Sequence, residues 1–358
     1  QWPLPPMYRV RQRFDQSALE DVGSEVGNQL QQLNPATVAS PGQSVAVAVG
    51  SRGVQCLPEI VKSVVDYLKN RQLEPFIVPA MGSHGGATAK GQVAVLERQG
   101  IRAETMGVPV VGDVQAAQIA RLSSGARVYF GRRLQAADHV VIINRVKPHT
   151  LFRGEVESGL CKMLAVGCGM PAGAAEMHRF SLAASIVPAA AAILGHTSVL
   201  FGVAVVENPS PGIHTIETVR PADFAATDQR LLKLAWTLFP SIPADTLDIL
   251  VVDEMGKNIS GAGIDPNVVG FWRREGGERR PDYHTLIVLD LTDESRGNAI
   301  GIGIADLVTK RLVEKIDLKA THTNAATTGL FRSARLPLAL ASSRDAISLA
   351  LARVPDPE

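Results

Sequence analysis

Short apolar runs alternate with amphipathic segments between Gln43 and Leu134. Apolar runs of about four to eight residues are typical of buried strands, whereas apolar positions that recur every three or four residues are typical of helices. The pattern predicts strands at 44–49 and 75–79, helices at 58–70 and 90–99, and short strands around Val108 and Val128. Strands and helices that alternate in this way indicate a parallel sheet with helices on both faces.

The run ADHVVIINRV, residues 137–146, predicts a further buried strand that ends where Pro148 removes a backbone donor. A longer apolar stretch, 181–206, is interrupted by Pro188 and by the polar sequence 195–197. This interruption favours a buried helix followed by a buried strand over a membrane span.

The pattern changes in the second half of the chain. Prolines at both ends of 206–247 indicate a connection between domains that contains one helix, at 221–239. The next block is predicted to hold strands at 247–254 and 284–292 and a helix at 306–316.

These elements predict an α/β protein of two domains with mostly parallel sheets flanked by helices. The N-terminal domain, 1–243, would carry the catalytic residues, and a smaller C-terminal domain, 244–358, would close over them. We expect the active site in the cleft between the two domains.

Three polar side chains directly follow predicted strands: Arg52, His84 and His149. In parallel α/β sheets, ligands bind at the carboxyl ends of the strands. The sequence therefore predicts that these three side chains lie at one edge of the sheet.

Composition narrows the function classes. The formal net charge is +1, and the Lys and Arg residues are scattered, so neither a nucleic acid nor a membrane is expected as a partner. The cysteines Cys56, Cys161 and Cys168 lack Cys-x-x-Cys spacing, and their odd number argues against a disulfide framework. A cytoplasmic location follows as the simplest expectation, Cys161 is expected to be a buried apolar residue, and an oligomer remains compatible with the sequence.

The densest candidate chemistry lies between Lys147 and His178, in the sequence KPHTLFRGEVESGLCKMLAVGCGMPAGAAEMH. Glycines at 167, 169 and 173 precede an alanine-rich helix, and backbone N–H groups at such a position suit a phosphate. A plain connection into a helix is the alternative interpretation of the same spacing. Lys162 precedes the glycines, so a nucleotide bound at this turn would be within reach of both Lys162 and His178.

Lys162 and His178 are sixteen residues apart, and with this spacing the segment resembles the nickel-dependent lactate racemase family. In that family, a lysine carries a pyridinium mononucleotide with two thiocarboxyl arms, and a histidine sixteen residues later completes the coordination of the bound nickel. The resemblance implies that Lys162 carries this nickel-pincer nucleotide and that His178 binds the metal. Gly167, Gly169 and Gly173, at the turn that suits a phosphate, are then expected to bind the cofactor.

The resemblance extends to the polar residues that follow the strands. It implies that His84, in AMGSHGGAT, and His149 are the two acid/base residues, and that Arg52, in GSRG, binds the substrate carboxylate. A lysine from the second domain binds substrate in the family, which implies that role for Lys257.

The chain departs from the family in two places. Val49 stands where the well-known racemases have an aspartate, and thirteen positions separate His149 from Lys162, more than in those enzymes. The chain is therefore expected to be a divergent homologue with a substrate other than lactate.

The implied activity is racemisation or epimerisation of a small anionic 2-hydroxy acid by hydride transfer to the nickel-pincer nucleotide. A dinucleotide-dependent oxidoreductase is an alternative, although no Gly-x-Gly-x-x-Gly motif follows the first strand. A non-catalytic protein that binds a ligand or the cofactor is the other alternative, and Val49 leaves room for it.

Overall fold

The chain folds into two units, each built on its own main sheet. The computed structural model describes residues 4–14, 17–51 and 53–355, apart from the side chain of Thr327. Contact clustering divides the chain into a large unit, Phe14–Phe239, and a C-terminal unit, Pro240–Glu358 together with Gln1–Arg13.

The large unit is built on a five-stranded sheet and a separate two-stranded ribbon. Its strands are β1 (Ser44–Val49), β2 (Glu74–Pro79), β3 (Ala116–Arg121), β4 (Arg127–Gly131), β5 (His139–Arg145), β6 (Val199–Glu207) and β7 (Ile213–Val219). The five-stranded sheet has the order β2-β1-β5-β6-β7, and β3 pairs with β4. All neighbours in the larger sheet are parallel except β6 and β7.

Alternate residues of β1 enter two different hydrophobic cores. Val45 and Val47 pack in one cluster and Ala46 and Ala48 pack in the other, and none of these side chains is accessible to solvent. A strand buried on both faces needs apolar residues at every position, which is why β1 has the sequence SVAVAV. The prediction of a mostly parallel sheet flanked by helices is confirmed.

Helices pack against this sheet. Those of the large unit are α1 (Val22–Leu33), α2 (Leu57–Asn70), α3 (Ala89–Arg98), α4 (Ala103–Met106), α5 (Arg132–Gln135), α6 (Leu160–Lys162), α7 (Met170–Arg179), α8 (Leu182–His196) and α9 (Phe224–Thr237). A π-helical turn, Met163–Gly167, lies between α6 and α7. Helix α8 followed by β6 confirms the interpretation of the long apolar stretch.

The C-terminal unit has a four-stranded parallel sheet in the order β11-β10-β9-β8. Its strands are β8 (Thr246–Met255), β9 (Asp282–Leu291), β10 (Leu307–Thr309) and β11 (Leu338–Leu340). Its helices are α10 (Pro266–Val269), α11 (Trp272–Glu275), α12 (Lys310–Glu314), α13 (Leu318–Thr328) and α14 (Ser343–Leu351).

Three sequence interpretations are wrong. The segment 206–247 is not mainly a connection, because it contains β7, an edge strand of the large sheet, and α9, which packs in the core of the same unit. Residues 307–309, assigned to a helix, form β10 before α12 begins. Near Val108 there is only an isolated bridge between Ile77 and Val110 in place of a strand.

Across the residues that the structure describes, none of the helices combines the length and the apolar character needed to cross a membrane.

Replacing Ile142 by Ala should lower the free energy of unfolding of the large unit by about 2–5 kcal/mol, because the change leaves a cavity in a close-packed core. Ile142 lies on β5 with no exposed surface. Urea unfolding followed by circular dichroism measures the change. Val38→Ala, at a side chain that is 74% exposed, is the control and should change stability little. An equal effect of the two substitutions would contradict this description of the core.

Candidate active site

Neighbouring parallel strands bring the predicted site residues to one edge of the large sheet. Strand β1 lies between β2 and β5 and is parallel to both, so the carboxyl ends of the three strands share an edge. His84 follows β2 and His149 follows β5. Arg52 follows β1, but it lies outside the described residues, so its predicted contact with a substrate carboxylate stays a prediction.

The imidazole of His84 is held by the loop after the neighbouring strand. Ser51 Oγ, which follows β1, forms a hydrogen bond with His84 Nδ1. The residue is exposed to solvent. Sequence reasoning missed Ser51, whose only signal was its position directly after a strand.

Side chains in and directly after helix α3 form hydrogen bonds with the His84 loop and with the Ser51 loop. The side-chain amide of Gln92, which is fully buried, donates to the carbonyl oxygens of Gly82 (2.8 Å) and His84 (3.3 Å). Seven residues later, the amide of Gln99, the residue that directly follows α3, donates to the carbonyl oxygen of Ser51 (2.5 Å). The positions of His84 and Ser51 are therefore both tied to α3.

Glycine is required at position 85, where this loop meets α3. Gly85 has φ +63°, and a Cβ atom there would lie 2.7 Å from the backbone nitrogen of Gln92. No larger residue fits without moving the helix that holds the His84 loop.

His149 lies in a tight loop closed by a buried carboxylate. Its backbone N–H donates to Glu157 Oε2 (2.7 Å), and the backbone N–H of Leu151 donates to His149 Nδ1 (3.2 Å). Since Nδ1 accepts a hydrogen bond, the neutral ring carries its proton on Nε2. The ring also packs against Phe152, with 4.6 Å between the ring centroids.

Burial raises the pKa of Glu157, and this effect outweighs the backbone hydrogen bonds from His149 and Gly154 and the charges of Arg153 and Lys162, which lower it. The side chain of Glu157 is only 2% exposed. Sequence reasoning missed this residue because a glutamate in a polar loop is usually solvated.

Lys162 is half-buried on the three-residue helix α6, and its ammonium lies 5.6 Å from the centroid of the Phe152 ring. Phe152 thus lies between the predicted cofactor lysine and the ring of His149. Lys162 of α6 and His149 of the preceding loop therefore share a contact with the Phe152 ring.

A second buried carboxylate fixes the turn that carries Lys162. Asp228 of α9 has no exposed surface and accepts hydrogen bonds from the backbone N–H groups of Leu160 (2.9 Å) and Cys161 (2.8 Å). Gly159, just before this turn, has φ +99°, and a Cβ atom there would lie 2.1 Å from Asp228 Oδ1. Only glycine fits this close approach.

Cys161 is 2% exposed, which confirms that it is a buried residue, and burial raises the pKa of its thiol. The side-chain amide of Asn144, at the end of β5, donates to the carbonyl oxygen of Gly159 (2.6 Å). The Lys162 turn is therefore attached to both β5 and α9.

The predicted glycine turn is helical in the structure and does not form an open loop. Gly167 ends the π-helical turn and Gly169 precedes α7, both with buried backbone. A Cβ atom at Gly167 would lie 2.6 Å from Met163 Sδ, and one at Gly169 would lie 2.9 Å from the carbonyl oxygen of Ala165. Close packing accounts for these two glycines, while a contact of 167, 169 or 173 with a cofactor stays a prediction.

His178 is exposed in the last turn of α7, and its Nδ1 donates to the carbonyl oxygen of Ala174 (2.6 Å). A carbonyl oxygen only accepts, so the neutral ring has its lone pair on Nε2, the form that binds a metal ion. A Cβ atom at Gly82, in the His84 loop, would lie 2.9 Å from Ala174 Cβ, so α7 packs directly against that loop.

Lys257 belongs to the C-terminal unit, where it follows β8. Its ammonium donates to the carbonyl oxygen of Gly261 (2.6 Å) and to Asn324 Oδ1 (3.1 Å). The predicted contact of Lys257 with substrate stays a prediction.

Among the described side chains, no group of three or more His, Cys, Asp or Glu residues is arranged to hold a metal ion.

A family described as a domain of unknown function, DUF362, matches residues 47–232. The chain belongs to this family. The match runs from β1 into α9 and therefore includes the His84 and His149 loops, the Lys162 turn and Asp228. No curated protein matches this DUF362 chain.

A solved structure with a similar fold is the lactate racemase apoprotein from Thermoanaerobacterium thermosaccharolyticum. The TM-score is 0.59 at 12% sequence identity, and the match covers 95% of this chain and 90% of that chain. At this identity, the likeness shows that the two proteins share a fold.

Asp228 should make stability depend on pH. Burial raises the pKa of its carboxyl group from 3.8 to about 7, so the folded chain holds the proton more tightly than the unfolded chain does. The resulting stabilisation is fully present below about pH 4 and is lost as the pH rises to about 7. Asp228→Asn removes this dependence, so the stability of the wild type relative to the variant should fall across that window.

Urea unfolding of both proteins at several pH values measures this difference. Asp223→Asn, at an exposed position that immediately precedes α9, is the control and should leave the wild-type pH dependence in place. A difference between wild type and Asp228→Asn that is the same across the whole window would contradict the assignment.

Proposed function

We propose that this chain is a racemase or epimerase of a small anionic 2-hydroxy acid and that it works with a nickel-pincer nucleotide. One observation carries the proposal: His84 and His149 follow the two strands that flank β1, at the same edge of the sheet. The fold shared with the lactate racemase apoprotein supports it.

The reaction explains why two histidines and a cofactor are needed. Inverting a carbon that bears a hydroxyl group and a carboxylate requires cleavage of a C–H bond of poor acidity, and an ordinary side chain does not do this easily. The cofactor, when bound, supplies a hydride acceptor. The chain then has to move only the hydroxyl proton, and imidazole both gives and accepts protons near neutral pH.

The residues around Lys162 and His178 fit this group. Lys162 would hold the cofactor through its side-chain nitrogen, which lies 5.6 Å from the centroid of the Phe152 ring. His178 would provide the metal ligand through Nε2, because its Nδ1–H donates to the carbonyl oxygen of Ala174. A backbone carbonyl that orients the ring of a metal-binding histidine is the usual arrangement.

The two histidines start from different hydrogen-bonding states. Nδ1 of His84 pairs with a hydroxyl group, which both donates and accepts, so this ring changes its protonation without losing its partner. Nδ1 of His149 accepts from the N–H of Leu151, so proton uptake at that atom breaks the contact. In our proposal, His84 acts directly, whereas proton uptake at His149 Nδ1 accompanies a local opening of the loop 149–151.

The substrate carboxylate requires a positively charged partner. Arg52, which follows the β1 segment in the sequence, would hold the carboxylate, because guanidinium makes a two-point contact with a carboxylate. Lys257 is proposed as a second substrate-binding residue, as the resemblance implies.

Protein made together with the enzymes that synthesise the cofactor should carry an adduct on Lys162 and a stoichiometric amount of nickel. Peptide mass spectrometry and metal analysis measure the two. His178→Ala should lower nickel retention and leave the adduct in place, since the attachment does not depend on that ligand.

His196→Ala is the matched control. His196 ends α8 and makes the same Nδ1 contact with a carbonyl oxygen four residues earlier, Ala192 O, at 2.8 Å. It should retain nickel as the wild type does. An adduct mapped to another lysine, or equal nickel loss in both variants, would reject the assignment.

Replacing either His84 or His149 by Ala should nearly abolish interconversion of the two enantiomers, by roughly a hundredfold to ten-thousandfold, which is the usual contribution of a general acid or base. One half-reaction should survive in each variant. Each variant should leave a trace of 2-keto acid after an acid quench with one enantiomer only, and the enantiomer should differ between the variants. Chiral chromatography with a panel of 2-hydroxy acids provides the measurement.

Comparable residual turnover of both enantiomers by both variants would show that the two-base arrangement is wrong. Retained cofactor without turnover of any acid in the panel by the wild type would favour a non-catalytic binding protein.

A further inference from the structure

Glu157 is a buried carboxylate that neither the proposed proton transfers nor the proposed cofactor attachment uses. Its side chain is 2% exposed, although the charged residues Arg153 and Glu155 of the same loop are exposed. Burial of a carboxylate is costly unless hydrogen bonds or opposite charges compensate for lost hydration. The partners of Glu157 therefore indicate its role.

Its hydrogen bonds close the loop that carries His149. Oε2 accepts from the backbone N–H of His149 (2.7 Å), and Oε1 accepts from that of Gly154 (3.3 Å). One side chain thus joins the two ends of the segment 149–154, which includes Phe152. The position of the Phe152 ring follows from this closure.

Two cations face this carboxylate. Arg153 Nη1 lies 3.8 Å from Oε2, but the same guanidinium also donates to the carbonyl oxygen of His149 (2.8 Å) and stacks on Trp236 of α9. Lys162 is the second cation: its ammonium packs on Phe152, inside the segment 149–154 that Glu157 closes, and its charge lowers the pKa of Glu157. The titratable ring of His149 belongs to the same loop.

Lys162 is connected to the loop by packing as well. Its ammonium lies 5.6 Å from the Phe152 centroid, and that ring packs against His149 at 4.6 Å. A change at Glu157 therefore affects Lys162 in two separable ways, through the charge and through the position of Phe152.

We propose that Glu157 is a positioning residue that couples Lys162 to the His149 loop, with its hydrogen bonds holding the loop and its negative charge holding the lysine ammonium. The catalytic importance of Glu157 rests on the proposed function, but the coupling between Lys162 and the His149 loop does not. In the family reaction implied for this chain, the same contact would keep the cofactor-bearing lysine and an acid/base residue in a fixed relation.

The test measures how fast each lysine of the full-length, cofactor-free chain is acylated by trace acetic anhydride as a function of pH, by peptide mass spectrometry. Glu157→Gln keeps the size of the side chain and removes the charge. It should shift the midpoint of the Lys162 profile to lower pH by about half a unit or more, because a nearby negative charge favours the ammonium form. Lys233, exposed on α9, is the internal reference and should not shift.

Glu157→Asp separates charge from position. Aspartate keeps the charge but reaches less far, so the Lys162 midpoint should stay close to that of the wild type. The backbone N–H groups of His149 and Gly154 should nevertheless exchange with deuterium faster, because their acceptor has moved away. Glu155→Gln, at an exposed glutamate two residues earlier, is the matched control and should change neither quantity.

An unchanged Lys162 midpoint in Glu157→Gln would overturn the charge coupling, and unchanged exchange at His149 in Glu157→Asp would overturn the positioning role. If Glu157→Gln does not fold, faster His149 exchange together with an unshifted Lys162 midpoint in Glu157→Asp supports the proposal, and a shifted midpoint overturns it. No nickel or substrate enters these measurements, so failure of the proposed racemase function leaves their result intact. If Lys162 carries the adduct but the Glu157 variants show no coupling, the role of Glu157 is contradicted and the proposed function is unaffected.

Discussion

Parallel pairing of β1 with both β2 and β5 is the constraint on which the rest of the site depends. It brings the carboxyl ends of three strands to one edge, and each strand leads into a loop with a candidate catalytic or binding residue. The pairing is possible because β1 is apolar on both faces and buries each face in a separate core. A polar residue inside β1 would lie in one of these cores without a partner, so the polar chemistry is confined to the strand ends.

Two buried carboxylates then fix the conformation of the Lys162 turn and of the His149 loop. Asp228 binds backbone N–H groups of the Lys162 turn, and Glu157 binds backbone N–H groups of the His149 loop. Both pKa values are raised by burial, which means that dehydration outweighs the hydrogen bonds each group receives. Because hydrophobic residues of similar volume would avoid this cost, retention of both carboxylates is better explained by the loop geometry they fix.

Helix α3, which follows the His84 loop, helps to fix the loops at this edge. The side-chain amides of Gln92, in α3, and Gln99, directly after it, donate hydrogen bonds to backbone carbonyl oxygens of the loops that contain His84 and Ser51. Val49 stands where the resembled racemases have aspartate, and in this chain a hydroxyl group, that of Ser51, pairs with His84. In the proposed reaction, a hydroxyl partner suits an acid/base histidine, because a hydroxyl group both donates and accepts hydrogen bonds.

The sequence by itself determined the strands β1, β2 and β5, the helices that follow the first two, and the polar residues that follow all three strands. It did so because apolar periodicity and proline position are local properties of the chain. It misassigned β7 and β10, since a short or edge strand is defined by its pairing partner rather than by its own pattern. Tertiary structure alone decided the roles of Glu157, Asp228 and Gln92, because a carboxylate or an amide appears polar in sequence wherever it lies. Only the packing of distant segments buries these groups and directs them at the backbone of a site loop.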